Sequence, residues 1–350
     1  MHLVRKHRVL VVTIGLAAFA AVLYSGFWFV ASDNLRDGVE RWAEERRAAG
    51  WSVAWDEFSI DGFPFALRAL VTAPRIAGRN PRWAWRGPRI IATARPWDLD
   101  KPAVSFPGRH QISVMHEGSA HDFTVDAVKA LGRVRIQGGV AREITAKLAE
   151  IDIKEKNGQS ADGPNITADA MSFRLIPYRS KPPEHFVSIA LAGLVMSDGP
   201  HAALGRNIRA LDAEIKLLGV SAFKPASRLR LPAALGDWRD HGGTIEILRL
   251  HLDWGGMVFD GDGTLALDAA LQPIVAMKTR IQGYRALVDG LVRARLVRAR
   301  DADMAKFVLN MVARATPGGK NTVTMPVTVQ DRRLFIGPAK LIDLPRIDWK

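Results

Sequence analysis

Leu248-Arg249-Leu250-His251-Leu252-Asp253-Trp254 runs directly into Gly255-Gly256, and this stretch decides the fold. Side chains two apart share one face of a β-strand, so its apolar residues point one way while Arg249, His251 and Asp253 point the other. A Gly-Gly pair accepts the backbone of a two-residue hairpin turn, which sends the chain back antiparallel. The same alternation recurs on both sides. Val275, Met277 and Ile281 form one stripe, and Val323, Met325, Val327 and Val329 form another opposite Thr322, Thr324 and Thr328. Pro326 cannot donate to a ladder, which predicts an edge or a bulge there. Upstream, Leu211, Ala213, Ile215 and Leu217 alternate with Asp212, Glu214 and Lys216; Met171, Phe173 and Leu175 alternate with Ser172 and Arg174; Val134 and Ile136 alternate with Arg133 and Arg135. Strands with one apolar and one solvated face suit antiparallel sheets, so the expected class is mainly β with α, an α+β chain built on long curved antiparallel sheets.

The amino terminus carries a different signal. His2, Arg5, Lys6, His7 and Arg8 precede an uncharged run at 9–31. As a helix that run would be roughly 35 Å long, at about 1.5 Å per residue, against a hydrocarbon core of about 30 Å. A transmembrane helix is the expectation. A cleaved signal peptide is the other reading, but the run exceeds the usual ~7–15 residues of a signal core and no clear small-x-small site follows. The positive-inside rule leaves residues 1–8 as a cytoplasmic tail and residues 32–350 outside, on a single-pass span. Tyr24, Trp28 and Phe29 lie near the outer end of the run, where amphipathic rings favour headgroups.

Beyond the run, Ser32 or Asp33 is a candidate cap for an amphipathic helix with Leu35, Val39, Trp42 and the Arg46 stem at helical spacing, ending at Gly50. A late helical pair is expected within 284–315: Tyr284 to Arg300 with Leu287, Val288, Leu291, Val292 and Leu296, and Asp301 to Ala315 with Met304, Phe307, Val308, Met311 and Val312. These three helices are expected to cover the sheet. Residues 223–243, rich in Pro and Gly, have no sustained period and suggest a linker or short helix between two β-rich halves, 32–224 and 244–350.

Composition narrows the chemistry. The 350 residues include no cysteine, which excludes disulfide scaffolds and cysteine-ligated metals, and 48% hydrophobic with 24% charged residues describe a folded chain. His116, Glu117 and His121 fail the i, i+4 spacing of a zinc-protease helix. Asp260-Gly261-Asp262-Gly263 lacks the distal Glu of a calcium loop and is favoured as a hairpin turn between Val258-Phe259 and Leu265-Ala266-Leu267. No serine-hydrolase elbow, P-loop or dinucleotide fingerprint is present, so no catalytic residue, metal or cofactor is assigned. A periplasmic hydrolase is the least favoured of three functional readings.

The net charge of +13 concentrates partly in Arg285, Arg293, Arg295, Arg298 and Arg300. A basic helix can meet anionic lipid headgroups or acidic partners, although solvation of an outer helical face is the simpler reading, and an exported chain meets little nucleic acid. Trp51, Trp55, Trp83 and Trp85 are expected to fill core space. The apolar strand faces supply the first functional expectation, a sheet-lined groove that binds or relays a lipid or another apolar ligand. Its candidate lining is Leu248, Leu250, Leu252, Trp254, Val275, Met277, Val323, Met325 and Val327. The alternative is a non-enzymatic envelope scaffold that uses its basic helix for acidic protein partners.

Several short motifs in order carry a resemblance: Trp51-Ser-Val-Ala-Trp55, Phe58-Ser-Ile-Asp-Gly62-Phe63-Pro64-Phe65, Gly261-Asp-Gly263 with Leu265-Ala-Leu267-Asp268 and Gln272-Pro273, and Pro326-Val-Thr-Val-Gln-Asp331 with Leu334-Phe-Ile-Gly-Pro338. Together they resemble the alphaproteobacterial family called domain of unknown function 2125, across about residues 33 to 345. Arg332-Arg333 departs from the Asp-Gly expected of relatives after Gln330, which puts the tight final turn in question. The resemblance implies an inner-membrane-anchored, single-pass envelope protein with its carboxyl-terminal bulk in the periplasm, without an assigned activity, cofactor or catalytic residue. A looser similarity, to AsmA-like envelope proteins, implies the same anchored β-rich plan and an involvement in lipid traffic.

Overall fold

The first helix, α1 (His2–Ala48), runs unbroken past Ser32 and Asp33, so neither residue caps a new helix. Ser32 instead lies buried along the helix, with no Pro or Gly beside it to interrupt the backbone ladder. The end falls where the sequence placed it. Gly50 adopts φ 86, the Gly50 N–H donates to Arg47 O at 2.9 Å and the Trp51 N–H to Arg46 O at 3.0 Å, the paired bonds of a glycine-terminated helix. In this computed structural model the described residues are 2–78, 83–116, 119–156, 165–178, 184–197, 202, 204–219, 231–295, 297–315, 321–337 and 339–349. The candidate motif of His116, Glu117 and His121 falls partly outside them. Among the described residues no helix is long and apolar enough to cross a membrane; of the run at 9–31, the side chains of residues 9–13, 15 and 17 lie outside the described set.

The chain divides into two compact units, Met1–Phe123 and Thr124–Lys350. The first holds α1 and short antiparallel strands. One group is β1 (Ser52–Ala54), paired with β4 (Arg75–Ala77), then β5 (Trp83–Arg86) and β8 (His110–His116). The other is β2 (Glu57–Asp61), β3 (Leu67–Thr72), β6 (Arg89–Arg95) and β7 (Asp98–Ser105), paired in that order. Helix α1 lies along these strands through a regular series of contacts. Trp28 donates its indole N–H to Ala66 O at 2.9 Å, Arg36 lies over the Phe58 ring, and Arg47 donates to Val53 O at 2.8 Å while lying over Trp55. The polar atoms of Tyr24 and Trp28, read as headgroup anchors, are therefore engaged by the chain itself, since Tyr24 O–H donates to Pro64 O. Trp51 meets Trp83 edge to face and Trp85 stacks on His110, so these rings pack against one another.

In the second unit the strands follow chain order, and together they make a long, open, curved antiparallel sheet. From β9 (Ser119–Gln137) the chain passes to β10 (Val140–Glu155), β11 (Asn165–Tyr178), β12 (Glu184–Val195), β13 (Asn207–Leu218), β14 (Ile245–Trp254), β15 (Met257–Leu267) and β16 (Pro273–Gln282). Each of these pairs with the next. Helix α2 (Leu231–Asp240) precedes β14. The chain then forms α3 (Tyr284–Arg293) and α4 (Ala299–Val312), the two-residue β17 (Arg314–Ala315), and β18 (Asn321–Gln330), β19 (Arg333–Ile336) and β20 (Ala339–Asp343). β18 pairs with β16 and β19, and β19 with β20. The Pro- and Gly-rich segment at 223–243 lies within this unit, and β13 pairs directly with β14 across it, Leu211 opposite Leu252. Residues 221–230 are outside the described set.

Four local readings need correction. Asp260-Gly261-Asp262-Gly263 is not a turn but the middle of β15, paired on both sides. Packing explains its glycines: a Cβ on Gly263 would come within 2.2 Å of Ala276 O and 2.7 Å of Met277 Cα. The helix expected to reach Arg300 stops at Arg293, because Arg295 takes a left-handed conformation at φ 59 and ends it. The second helix starts at Ala299 and stops at Val312, with Arg314 and Ala315 in a strand instead. It also turns a different face inward: Ala302 is buried and Leu309, with Ala313 just past the helix end, packs against the buried cluster, while Met304 and Phe307 are exposed. Leu296 lies outside the described residues, as do the side chains of Val308, Met311 and Val312.

Pro326 sits in a strand with neighbours on both sides, at the point where one of the two ladders ends. It lies opposite Lys278 of β16, whereas the pairing with β19 begins only at Val327 and that with β17 involves Asn321 and Thr322. On the β19 side its carbonyl accepts from the Gly337 N–H at 2.8 Å, and the donor it lacks falls at the end of that ladder and not in its middle. The tight turn after Gln330 forms despite Arg332, with Asp331 at φ 50 and Arg332 at φ 58.

Candidate functional site

Register converts the separate apolar stripes into one surface. Leu148, Met171, Leu191, Leu211, Leu252, Phe259, Ile281 and Val323 lie opposite one another in turn across eight successive partners, β10 to β16 and then β18. A parallel row passes through Ala146, Phe173, Ile189, Ala213, Leu250, Gly261, Thr279 and Met325. A third joins Ile144, Leu175, Val187, Ile215, Ile247, Gly263, Met277, Val327 and Ile336. Facing positions in an antiparallel sheet share a side, so these rows form one apolar face.

Of the nine candidate lining residues, this face brings eight together. Leu250, Leu252 and Trp254 enter from β14, Val275 and Met277 from β16, and Val323, Met325 and Val327 from β18. Leu248 is the exception. Ile215 pairs with Ile247 and Glu214 with Arg249, so Leu248 is the extra residue of a bulge and is 48% exposed. Strict alternation cannot be carried through such a residue.

The face is covered unevenly. Near the β14–β15 turn, Leu204, Met257, Ile281, Tyr284 and Val323 form a buried cluster against which Leu287 of α3 and Leu309 of α4 pack. Asn310 ties the two helices, accepting from Tyr284 O–H at 2.5 Å and from Arg285 at 2.8 Å. At the other end, Trp238 of α2 covers Leu267 together with Leu235, Ile245, Leu271 and Trp349. Val187 is buried, while Phe173, Leu175, Ile189, Leu191, Leu211 and Ala213, farther along on β11 to β13, are half-buried.

The opposite face is ionic. Glu143 accepts from Arg174 at 2.7 Å and pairs with Arg135 at 2.9 Å, and Arg209 meets Asp253 at 2.8 Å. Lys216 lies 3.1 Å from Glu184 and 3.6 Å from Glu246, and the hydrogen bond it donates to Glu184 raises its pKa above the ordinary range against the opposing effect of desolvation. Two grooves open here. One of about 440 Å³ runs over β10 to β13, where Ala149, Ala170, Ala192 and Ala210 face one another beside Lys147, Ser172, Ala190 and Asp212. The other, about 320 Å³, is lined by Leu248, Arg249, Leu250, Asp260, Asp262, Lys278, Arg280 and Thr324. His251 Nδ1 lies 2.7 Å from Asp260 beside it, a pair the sequence reading missed. It was available from arithmetic, since a turn centred on Gly255-Gly256 places 251 opposite 260. Among the described residues no group of three His, Asp or Glu side chains is placed to hold a metal ion.

The five candidate arginines are all exposed, but not on one helix. Arg285 and Arg293 belong to α3, Arg295 and Arg298 to the connection, and Arg300 to the first turn of α4.

The architecture defines an α+β protein dominated by antiparallel sheet, with one apolar and one ion-paired face on its second unit. The chain belongs to the family described as an uncharacterised protein conserved in bacteria, DUF2125, which it matches over residues 28–345. No curated protein and no solved structure matches it.

Proposed function

We propose that this protein is anchored in the inner membrane by the apolar run at 9–31, and that its sheet binds or relays lipid acyl chains or a similar apolar ligand at the periplasmic surface. The observation that carries this reading is the unbroken apolar row from Leu148 to Val323, which passes from the helix-covered end at β14 to β18 onto half-buried side chains over β10 to β13. A row of half-buried apolar side chains gains free energy from further cover, at about 25 cal/mol per Å² removed from water, and an acyl chain offers that cover without needing hydrogen bonds. The flanking ion pairs keep the other face solvated, so the sheet is two-sided.

The test uses the full-length chain in phospholipid vesicles doped with a diazirine-bearing phospholipid. Crosslinks to peptides of β10 to β13 are the expected result. Crosslinks confined to the amino-terminal run would sink the ligand reading and leave only an anchor. An adaptor role for Arg285, Arg293, Arg295, Arg298 and Arg300 has weaker support, since a connecting segment divides them between two helices.

A further inference from the structure

In the first unit, a loop of aromatic residues is fastened to α1 at the level of its last apolar turns. Gly62 at φ 99 opens the loop, the Ala66 N–H donates to Gly62 O at 2.9 Å and closes it, and Phe63, Pro64 and Phe65 form its tip. Tyr24 and Trp28 hold it from the helix side through Pro64 O and Ala66 O. The Trp28 ring meets Phe63 edge to face at 5.5 Å, and Phe29 stacks on Phe63 at 6.0 Å. This fastening buries Trp28, but it leaves Phe65 74% and Phe63 49% exposed.

A second aromatic turn lies at the same end of the strands. Leu67, the first residue of β3, is opposite Ala94, near the end of β6, which places the Pro96-Trp97 turn beside the loop. Trp97 is 63% exposed. Large rings held this far out of the core by closed turns lose apolar burial, which the contacts of Phe63 with Trp28 and Phe29 make up only in part. Amphipathic and aromatic side chains are stabilised at the headgroup boundary of a bilayer.

Resting on the reading of 9–31 as a membrane span, we infer that Phe63, Phe65 and Trp97 form a second membrane contact, an aromatic wedge seated among the headgroups of the bilayer that α1 crosses. Continuity identifies the occupant. Tyr24, Trp28 and Phe29 lie within the last eight residues of the apolar run at 9–31, so at about 1.5 Å per residue the loop is pinned within roughly 12 Å of the end of the run. A surface at that height beside a span faces lipid. The wedge fixes the depth and tilt of the exported unit, which a single helix alone leaves free.

The absence of native cysteine makes the test direct. Full-length Phe65→Cys, Trp97→Cys and Leu16→Cys variants, each labelled with an environment-sensitive fluorophore, are placed in vesicles of phosphatidylethanolamine and phosphatidylglycerol. The expected result is a blue shift at 65 and 97 with loss of emission to lipids brominated near the headgroup, and loss at 16 to lipids brominated deep in the chains. Quenching at 16 but at neither 65 nor 97 overturns the wedge and leaves the span standing. No quenching at any of the three overturns both. A blue shift at 65 and 97 without lipid quenching assigns the rings to a protein contact and also overturns the wedge.

Discussion

Trp238 stands so close to Gly243 that a β-carbon added there would come within 2.4 Å of three indole ring atoms. The same indole donates to Leu218 O at 2.6 Å and is almost wholly buried, so helix α2, the end of β13 and the start of β14 are locked through one side chain. Gly243→Ala must displace that ring, an overpacking change that costs about 1–3 kcal/mol. Urea unfolding should show a lower midpoint with an unchanged slope. An unchanged midpoint would mean that α2 does not seat on Gly243.

The glycines of β15 give a sharper test of register. At Gly263 the obstacle to a side chain is the backbone oxygen of Ala276, which cannot rotate away. Gly263→Ala is therefore expected to destabilise by about 2–3 kcal/mol, toward the upper end of overpacking effects. Asp262→Asn, on an exposed neighbour, should stay within about 0.5 kcal/mol of the parent. Similar small effects for both would point to a turn in place of a strand interior.

The β18–β19 turn works in the other direction. Asp331 and Arg332 both hold left-handed backbone angles, which cost a residue with a Cβ roughly 1–2 kcal/mol relative to glycine. Part of that gain is offset by the greater freedom of glycine in the unfolded chain. Arg332→Gly should raise stability by about 0.5–1 kcal/mol, read as a higher denaturation midpoint. A fall in stability would show that the arginine side chain makes a contact worth more than the strain.

The pH dependence has two separable limbs. Lys340 donates to Asp343 at 2.7 Å, and this hydrogen bond holds the Asp343 carboxyl below its ordinary 3.8. A carboxyl depressed in the folded state adds stability above its unfolded value, and the addition is lost as pH falls through the lower folded value. The Glu184 hydrogen bond raises Lys216 above its ordinary 10.5, so its contribution is whole below that value and is lost as pH rises through the higher folded value. Asp343→Asn should flatten only the acid limb of a midpoint-against-pH curve, and Lys216→Met only the alkaline limb. Asp343 is exposed and Lys216 only half-buried, so both effects are small, and a change on the wrong limb would reverse the assignment.

Much of the second unit was legible because its strands are long enough for period two to be unmistakable: Leu211 to Leu217, Met171 to Leu175 and Val323 to Val329 all lie in strands as their alternation implied. The Gly255-Gly256 turn was legible for the same local reason, with both residues at positive φ. What could not be read depended on partners far along the chain. The bulge at Leu248 is set by the registers of β13 and β15, and the strand role of Gly261 and Gly263 by Met277 across the ladder. In the first unit β1, β4 and β5 have three or four residues each, too few to show any period. The fastening of Phe63–Ala66 to Trp28 spans 38 residues of sequence and leaves no local trace.

Because β10 through β15 each take the next strand in the chain as partner, spatial order and synthesis order coincide over this part of the sheet. Loop-closure entropy is then met one hairpin at a time, so the sheet can zip up directionally before its carboxyl-terminal strands exist. A truncated chain should retain a shorter sheet with correct pairing, and its vulnerability lies in the last, bare strand, which offers unpaired backbone groups until its successor arrives.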